Sequence, residues 1–566
     1  MDNPLFDPKL FEYLQQESQR LLSHLSSENT QQALSQFQQQ WLELLQNNAT
    51  EPTQWLNQFS ALQHQQAALW GEMFKTTNEA SPRDTRVLEQ LNHEIYAYVK
   101  QAYLITSSAL CELANNAALP AHEQEKIAFY TKQYTDAMSP DNFAATNPEV
   151  IEEALKSNGQ SLVNGLQNLL SDLQKGRISM TDESAFSLGD NIASTPGNVV
   201  FENELFQLIH YKPQTDTVFS RPTLIVPPCI NKYYILDLQP HNSFVDYCCK
   251  QQQNTFLISW LNPSKSQGDI SWDDYVQQGV IKAISVVNEI SSNQSLNAVS
   301  WCVGGTLLAS ALAVLKARNE KPVQSATFLT TLIDFEQPGE ISVFIDEPQI
   351  NVLLQQAKRE GVLSGRQLSA AFNMLRSTDL IWAYVVNNYL KGKKPTAFDI
   401  LYWNGDSTNL PYKMYEFYIT QMYLKNQFAK PNALTICDEV IDVSSIDIPC
   451  YFLSTIGDHI APWKSTFRGV ELLSGNNEFV LGASGHVAGV INPASKNKRH
   501  YWTGGTLDAG ADNWLETATK QQGSWWPHWN TWLKRRAGKK VPVQVEHPSF
   551  RPIEPAPGRY VKVTID

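Results

Sequence analysis

The chain has 566 residues, 42% hydrophobic and 11% aromatic, and its 44 Lys+Arg against 57 Asp+Glu give a net charge of −13. So much apolar surface excludes a wholly disordered chain, because its burial offsets chain entropy. The negative balance without a basic stripe argues against a nucleic-acid partner. Dividing the length by about 150 gives a soft prior of roughly four domains, so at least two are expected. Only 18% of residues are charged, against a usual figure of about 25%. Low charge combined with 15 Trp suggests a surface that meets something apolar. No run of about 18 apolar residues occurs, so no transmembrane segment is expected. The opening MDNPLFDPKLFEYLQQESQRLL lacks the basic and apolar parts of a secretory signal. Seven cysteines, an odd number without a CxxC pair, point away from a disulfide framework and a structural zinc, and toward a reducing cytoplasm.

Residues 1–195 are Gln-, Asn- and Ser-rich and are expected to form a mainly helical N-terminal domain. Phe11, Leu14, Leu21, Leu22 and Leu25 recur at helical spacing, and Trp41, Leu42, Leu44, Leu45, Trp55, Leu56, Phe59 and Leu62 continue the stripe. Such a face packs on its own core or serves a partner helix, a membrane or an apolar particle. Ser139–Asn142 and Thr146-Asn147-Pro148 read as turns. After Pro196-Gly197 short β-branched runs alternate with helical patterns. Strands are expected at Thr223–Val226, Thr255–Trp260, Leu296–Ser300, Ser325–Leu329, Cys450–Ser454 and Glu478–Leu481, with a helix from about Thr306 to Lys316. This alternation implies an α/β domain over 196–566, with a mainly parallel sheet covered on both faces. The aromatic-rich stretch of about 336–445 breaks the alternation and reads as a cap insertion. The tail HPSFRPIEPAPGRY reads as extended chain.

Ser300-Trp301-Cys302-Val303-Gly304 lies between a predicted strand and a predicted helix. That context fits the nucleophile elbow of α/β-hydrolases, G-x-S-x-G, with Cys for Ser and Ser for the first Gly. The elbow is a strained turn whose flanking positions must be small, as Ser300 and Gly304 are. It would lift the Cys302 sulfur to a helix N-terminus, where the helix dipole favours thiolate. The adjacent Cys248 and Cys249 lack such a turn and are expected in the core. In this fold the acid and then the histidine follow the nucleophile. Asp458 lies just past the strand at 450–454 and His486 just past that at 478–481, where ligand sites of open α/β sheets collect. His486 would act as base and Asp458 would hold its tautomer. His459 is the rival base, but it adjoins Asp458, and sequence neighbours rarely orient one another across a site. The oxyanion hole would use the backbone N–H of Val303, the residue after the nucleophile. A second N–H would come from the loop Pro227–Lys232, assigned to Ile230.

Cysteine has a chemical consequence. Acyl transfer from a thioester to Cys is nearly isoenergetic, so the bound acyl group stays activated for transfer to an alcohol. A cysteine elbow therefore suits transfer from a CoA thioester to a hydroxyl better than ester hydrolysis.

At these residues the chain resembles the class I poly(3-hydroxyalkanoate) synthases of the α/β-hydrolase superfamily. The likeness runs from about residue 200 to the tail through PPCINKYYILDLQP (227–240), SWLNPS (259–264), SWDDY (271–275), WCVGGT (301–306), TLIDF (331–335), IWAYVVNNYLKG (381–392), FDILYWNGDSTNLP (398–411), DHIAPW (458–463), FVLGASGHVAGVINP (479–493), GSWWPHW (523–529) and IEPAPGRYV (553–561). Two departures stand out: Ser300 where the family usually has Gly, and SWLNPS in place of a version that contains Arg and ends in Asp. The resemblance implies a Cys302–His486–Asp458 triad. It also implies polymerisation of (R)-3-hydroxyacyl-CoA, chiefly 3-hydroxybutyryl-CoA, with release of CoA and no metal or separate cofactor. Either Asp458 or His486 would activate the incoming hydroxyl. A homodimer in the cytoplasm, seated on polyester granules with the growing chain and possible granule-associated proteins, is further implied, with the N-terminal domain serving dimerisation and granule association. CoA phosphates need cations, for which Lys232 and Arg376 are candidates. A cysteine-type acyl-CoA thioesterase sharing the triad is the alternative reading.

Overall fold

The computed structural model describes residues 85–293, 295–543 and 547–565. The apolar stripes named between Phe11 and Leu62 lie outside the described residues. The described residues divide into two compact units, one of residues 85–180 with 376–396, the other of 181–375 with the described residues from 397 to 565.

In the first unit four helices follow one another: α1 (Thr85–Asn115), α2 (Ala121–Ala137), α3 (Pro148–Lys156) and α4 (Gln160–Lys175). The Thr146-Asn147-Pro148 turn becomes the start of α3. Asn147 accepts hydrogen bonds from the Glu149 and Val150 N–H groups, and Pro148 occupies the first helical position, where its missing N–H costs nothing. α4 ends on Gly176 at φ +69, a left-handed cap that glycine adopts without strain. The stretch 376–396, read from sequence as part of the insertion, packs on α4. Tyr389 Oη donates to Asp172 Oδ2 at 2.8 Å, and a Cβ at Gly165 would lie 1.9 Å from the Tyr389 carbonyl. Many large apolar side chains of this unit face outward, among them Ile95, Leu104, Met138, Phe143, Leu155 and Leu173.

The second unit is built on an eleven-stranded sheet. Its strands in chain order are β1 (Gly197–Glu202), β2 (Phe206–Tyr211), β3 (Thr223–Val226), β4 (Thr255–Trp260), β5 (Leu296–Trp301), β6 (Val323–Leu329), β7 (Cys450–Thr455), β8 (Asn477–Gly482), β9 (His500–Thr503), β10 (Thr519–Gln522) and β11 (Glu554–Pro555). Six central strands run parallel in the order β4-β3-β5-β6-β7-β8. Antiparallel pairs extend the sheet through β2-β1-β11 on one side and β9-β10 on the other. The central strands are buried on both faces, which is why they read as continuous apolar runs. Alternate residues feed two cores: Phe256, Ala298, Phe328 and Phe452 enter one, and Leu257, Val299, Leu329 and Leu453 the other. Cys248 and Cys249 are fully buried in the second core.

Register aligns the carboxyl ends. Val226 pairs with Ser300, Trp301 with Leu329, Leu329 with Leu453, and Thr455 with Gly482. The loops after β3, β5, β7 and β8 therefore emerge at one edge. Among the described residues the tryptophans go largely inward, with Trp272, Trp301, Trp514, Trp525, Trp526 and Trp529 all fully buried. Packing accounts for these aromatic side chains, which do not by themselves call for an apolar partner.

Candidate active site

Cys302 sits between β5 and the helix α5 (Val303–Ala317) at φ +52, ψ −128. A non-glycine residue there carries strain that its surroundings must over-determine. They do so from both sides: the Cys302 N–H donates to Leu329 O at 2.9 Å, and Cys302 O accepts from Gly305 N at 2.8 Å. Ser300, which stands where a glycine was the expected residue, is fully buried, and its hydroxyl donates to Thr327 O at 2.8 Å. A polar side chain fits there because an acceptor is provided. Gly304 has no such latitude. A Cβ there would lie 2.5 Å from both Val226 O and Pro227 O, so the first turn of α5 rests directly on the root of the loop after β3. Gly304→Ala is expected to destabilise the protein by about 3 kcal/mol or more through overpacking; urea unfolding with an unchanged midpoint would refute this contact.

His486 and Asp458 meet from adjacent loops, with His486 Nδ1 donating to Asp458 Oδ2 at 2.7 Å. The carboxylate is further held by the Ile460 N–H (2.9 Å) and Ala461 N–H (2.8 Å) on Oδ1, and by the Thr455 hydroxyl on Oδ2 (3.4 Å). Its side chain is wholly shielded from solvent. With Nδ1 committed, Nε2 is left for Cys302, whose sulfur is near enough for its charge to act on the ring. Burial pulls the imidazole toward its neutral form, but the Asp458 carboxylate and the Cys302 sulfur outweigh it and push its pKa up to about 10. The GSWWPHW segment braces this loop from below. The indole N–H of Trp525 donates to Gly489 O and that of Trp526 to Val490 O (3.1 and 3.0 Å), while Gly489 N donates to Gly485 O at 2.7 Å.

Val303 is the first residue of α5 and is buried; Ile230 lies half-buried in the loop after β3. The insertion adds groups that sequence reasoning did not single out. The half-buried tyrosines Tyr418 and Tyr423 meet edge to face, ring centroids 5.2 Å apart; desolvation, then the neighbouring Tyr423 and Cys302 charges, push the Tyr418 hydroxyl up, and desolvation and the Cys302 charge push up that of Tyr423. Cys229 is held as a neutral thiol by burial beside Cys302. The only prior signal for the two tyrosines was the aromatic density of the insertion, whereas Cys229 lies in the loop already assigned to the oxyanion hole. Both cation candidates are otherwise engaged. Lys232 is 2% exposed and its ammonium donates to Val563 O. Arg376 pairs with Asp379 in the first unit. Among the described residues no cluster of His, Cys, Asp and Glu could hold a metal ion, and no helix is long and apolar enough to cross a membrane.

Comparison with known proteins places this geometry. Residues 84–248 match the family model for the poly-beta-hydroxybutyrate polymerase (PhaC) N-terminus, and residues 222–493 match that for the alpha/beta hydrolase fold. The chain is 48% identical over 476 residues to the poly(3-hydroxyalkanoate) polymerase subunit PhaC of Cupriavidus necator, covering 82% of this chain and 80% of that one. It is 41% identical to the PhaC subunit of Rhizobium meliloti (84% and 78% covered), and 39% identical to the poly(3-hydroxyalkanoate) polymerase of Methylorubrum extorquens (88% and 85% covered). The relatives' names, the α/β-hydrolase fold and the acyltransferase chemistry that polyester synthesis requires agree, and the chain belongs to the poly(3-hydroxyalkanoate) polymerase (PhaC) family.

Proposed function

We propose that this polymerase builds its polyester from (R)-3-hydroxyacyl-CoA, chiefly 3-hydroxybutyryl-CoA, through a thioester on Cys302. The observation that carries the reading is the strained strand-to-helix cysteine beside a histidine paired to a shielded carboxylate. His486 and Cys302 share one proton, which Asp458 holds on the imidazole as the sulfur attacks the thioester carbonyl. The resulting oxyanion rests on the Val303 and Ile230 N–H groups. Collapse breaks the C–S bond to CoA, which leaves as a thiol carrying the proton from His486. The 3-hydroxyl of the next unit or chain then attacks the Cys302 thioester, forming an oxyester and restoring the thiol. The Asp458 carboxylate already accepts from four donors, which leaves His486 as the base for this step too.

No metal or separate cofactor takes part, because the activating group arrives with the substrate. The outward apolar side chains of the helical unit support seating on a polyester granule in the cytoplasm. The family resemblance supports a homodimer, with residues 1–195 serving dimerisation and granule association, possible granule-associated protein partners, and 336–445 acting as a cap over the catalytic domain 196–566. Incubation with (R)-3-hydroxybutyryl-CoA is expected to give free thiol together with turbidity that sediments with the protein. Thiol release with a soluble hydroxy acid and no turbidity would instead mark a thioesterase.

A further inference from the structure

The loop from Pro227 to Lys232 is gripped along its carbonyls. Pro227 O accepts from Trp260 Nε1 at 2.9 Å, Cys229 O from Thr408 Oγ1 at 2.7 Å, Ile230 O from Thr408 N at 3.3 Å, and Lys232 O from Trp403 Nε1 at 2.7 Å. Asn231 and Ser407 form an antiparallel bridge within the same contact. The segment 403–408, the end of a short helix and the turn after it, belongs to the insertion, yet it is wired to the loop that the proposed mechanism uses for its oxyanion.

In a planar trans peptide the carbonyl of one residue and the N–H of the next point in opposite directions. Anchoring Cys229 O therefore aims the Ile230 N–H the other way. Thr408 is 1% exposed and Cys229 2%, so water does not compete for this bond. Thr408 is itself held in place by its neighbour. Asn409 N donates to Asn262 Oδ1 (2.9 Å), Asn409 Nδ2 to Pro263 O (3.1 Å), and Asn409 Oδ1 accepts from Gly365 N (3.0 Å). Among the described residues no protein group accepts from the Ile230 N–H, which leaves it available to substrate. We infer that Thr408 is a positioning residue for the polymerase reaction: its hydroxyl fixes the Cys229–Ile230 peptide plane so that the Ile230 N–H meets the developing oxyanion. This rests on the Cys302 thioester reading.

The test uses full-length protein and thiol release from (R)-3-hydroxybutyryl-CoA over a range of concentrations. Thr408→Val keeps the shape and removes the donor; kcat is expected to fall roughly ten- to a hundredfold with KM within about twofold, because an oxyanion interaction is made in the transition state. Thr408→Ser restores the hydroxyl and is expected within about threefold of wild-type kcat. Should the valine variant not fold, Thr408→Ala lacks the hydroxyl without added bulk and carries the same expected loss. Unchanged kcat in the hydroxyl-free variants, a loss confined to KM, or a serine variant as impaired as valine overturns the inference. Cys302→Ala separates the two readings. If it still turns over, the thioester mechanism falls and this inference with it; if it is dead while Thr408→Val is unaffected, the Thr408 inference alone falls.

Discussion

Cys302→Ala is expected to abolish CoA release from (R)-3-hydroxybutyryl-CoA, a loss on the order of a millionfold in kcat, as for removal of other covalent nucleophiles. The alanine fits the strained turn no worse than cysteine, because the positive φ is imposed by the Leu329 and Gly305 contacts and by the packing of Gly304 on Val226 and Pro227. Folding should therefore survive, and the lost rate reports chemistry. Cys302→Ser is the sharper probe. Serine would form an oxyester acyl-enzyme, lower in energy than the thioester donor, and transfer to a second alcohol would no longer run downhill. The expected result is at most one equivalent of thiol per site followed by a stall, read in a rapid-mixing thiol assay. A serine variant with full multiple-turnover synthesis would sink the argument that the reaction needs a thioester intermediate.

The parts of this site that were readable in advance share a physical cause. β3 to β8 are buried on both faces, so their sequences are near-continuous apolar runs that end abruptly at the site. The elbow demands small residues two positions before and after Cys302, met by Ser300 and Gly304, and that demand is written locally. What could not be read was direction and partnership. Lys232 looks like a free cation in sequence but turns inward to the Val563 carbonyl. Thr408 reads as an ordinary polar residue near a turn, and its partner at Cys229 is 179 positions away. The edge strands β9 and β10 are short, half-exposed and polar in places, as in Thr519–Gln522, so no periodicity announced them. Residues 376–396 carry the same aromatic texture as their flanks, although they pack with the helical unit. Texture reports how apolar a segment is, while the choice of packing face depends on matches such as Gly165 with the Tyr389 backbone.

Asp458→Asn should be nearly as costly as loss of the nucleophile, with kcat falling by about 10³ to 10⁴. The amide can present its NH₂ to His486 and favour the wrong tautomer, which leaves Nε2 protonated and unable to accept from Cys302. The same substitution has a pH signature. The folded-state pKa of His486 is about 10, above the roughly 6.5 of an unfolded chain. A group raised on folding contributes stability that is fully present below about pH 6.5 and is lost as pH rises through about 10, so this pair should weaken progressively between those values, by a few kcal/mol in all. Urea unfolding of the wild type is expected to show a midpoint that declines across that window, with a shallower decline in Asp458→Asn. Once the carboxylate charge is gone only the Cys302 sulfur opposes burial, which lowers the ring's pKa, so the alkaline limb of the variant's residual kcat should move to lower pH. Identical pH slopes and identical alkaline limbs in the two proteins would mean that the Asp458 charge does not hold the proton on His486, and the assignment of His486 as the acid that releases CoA would fail with it.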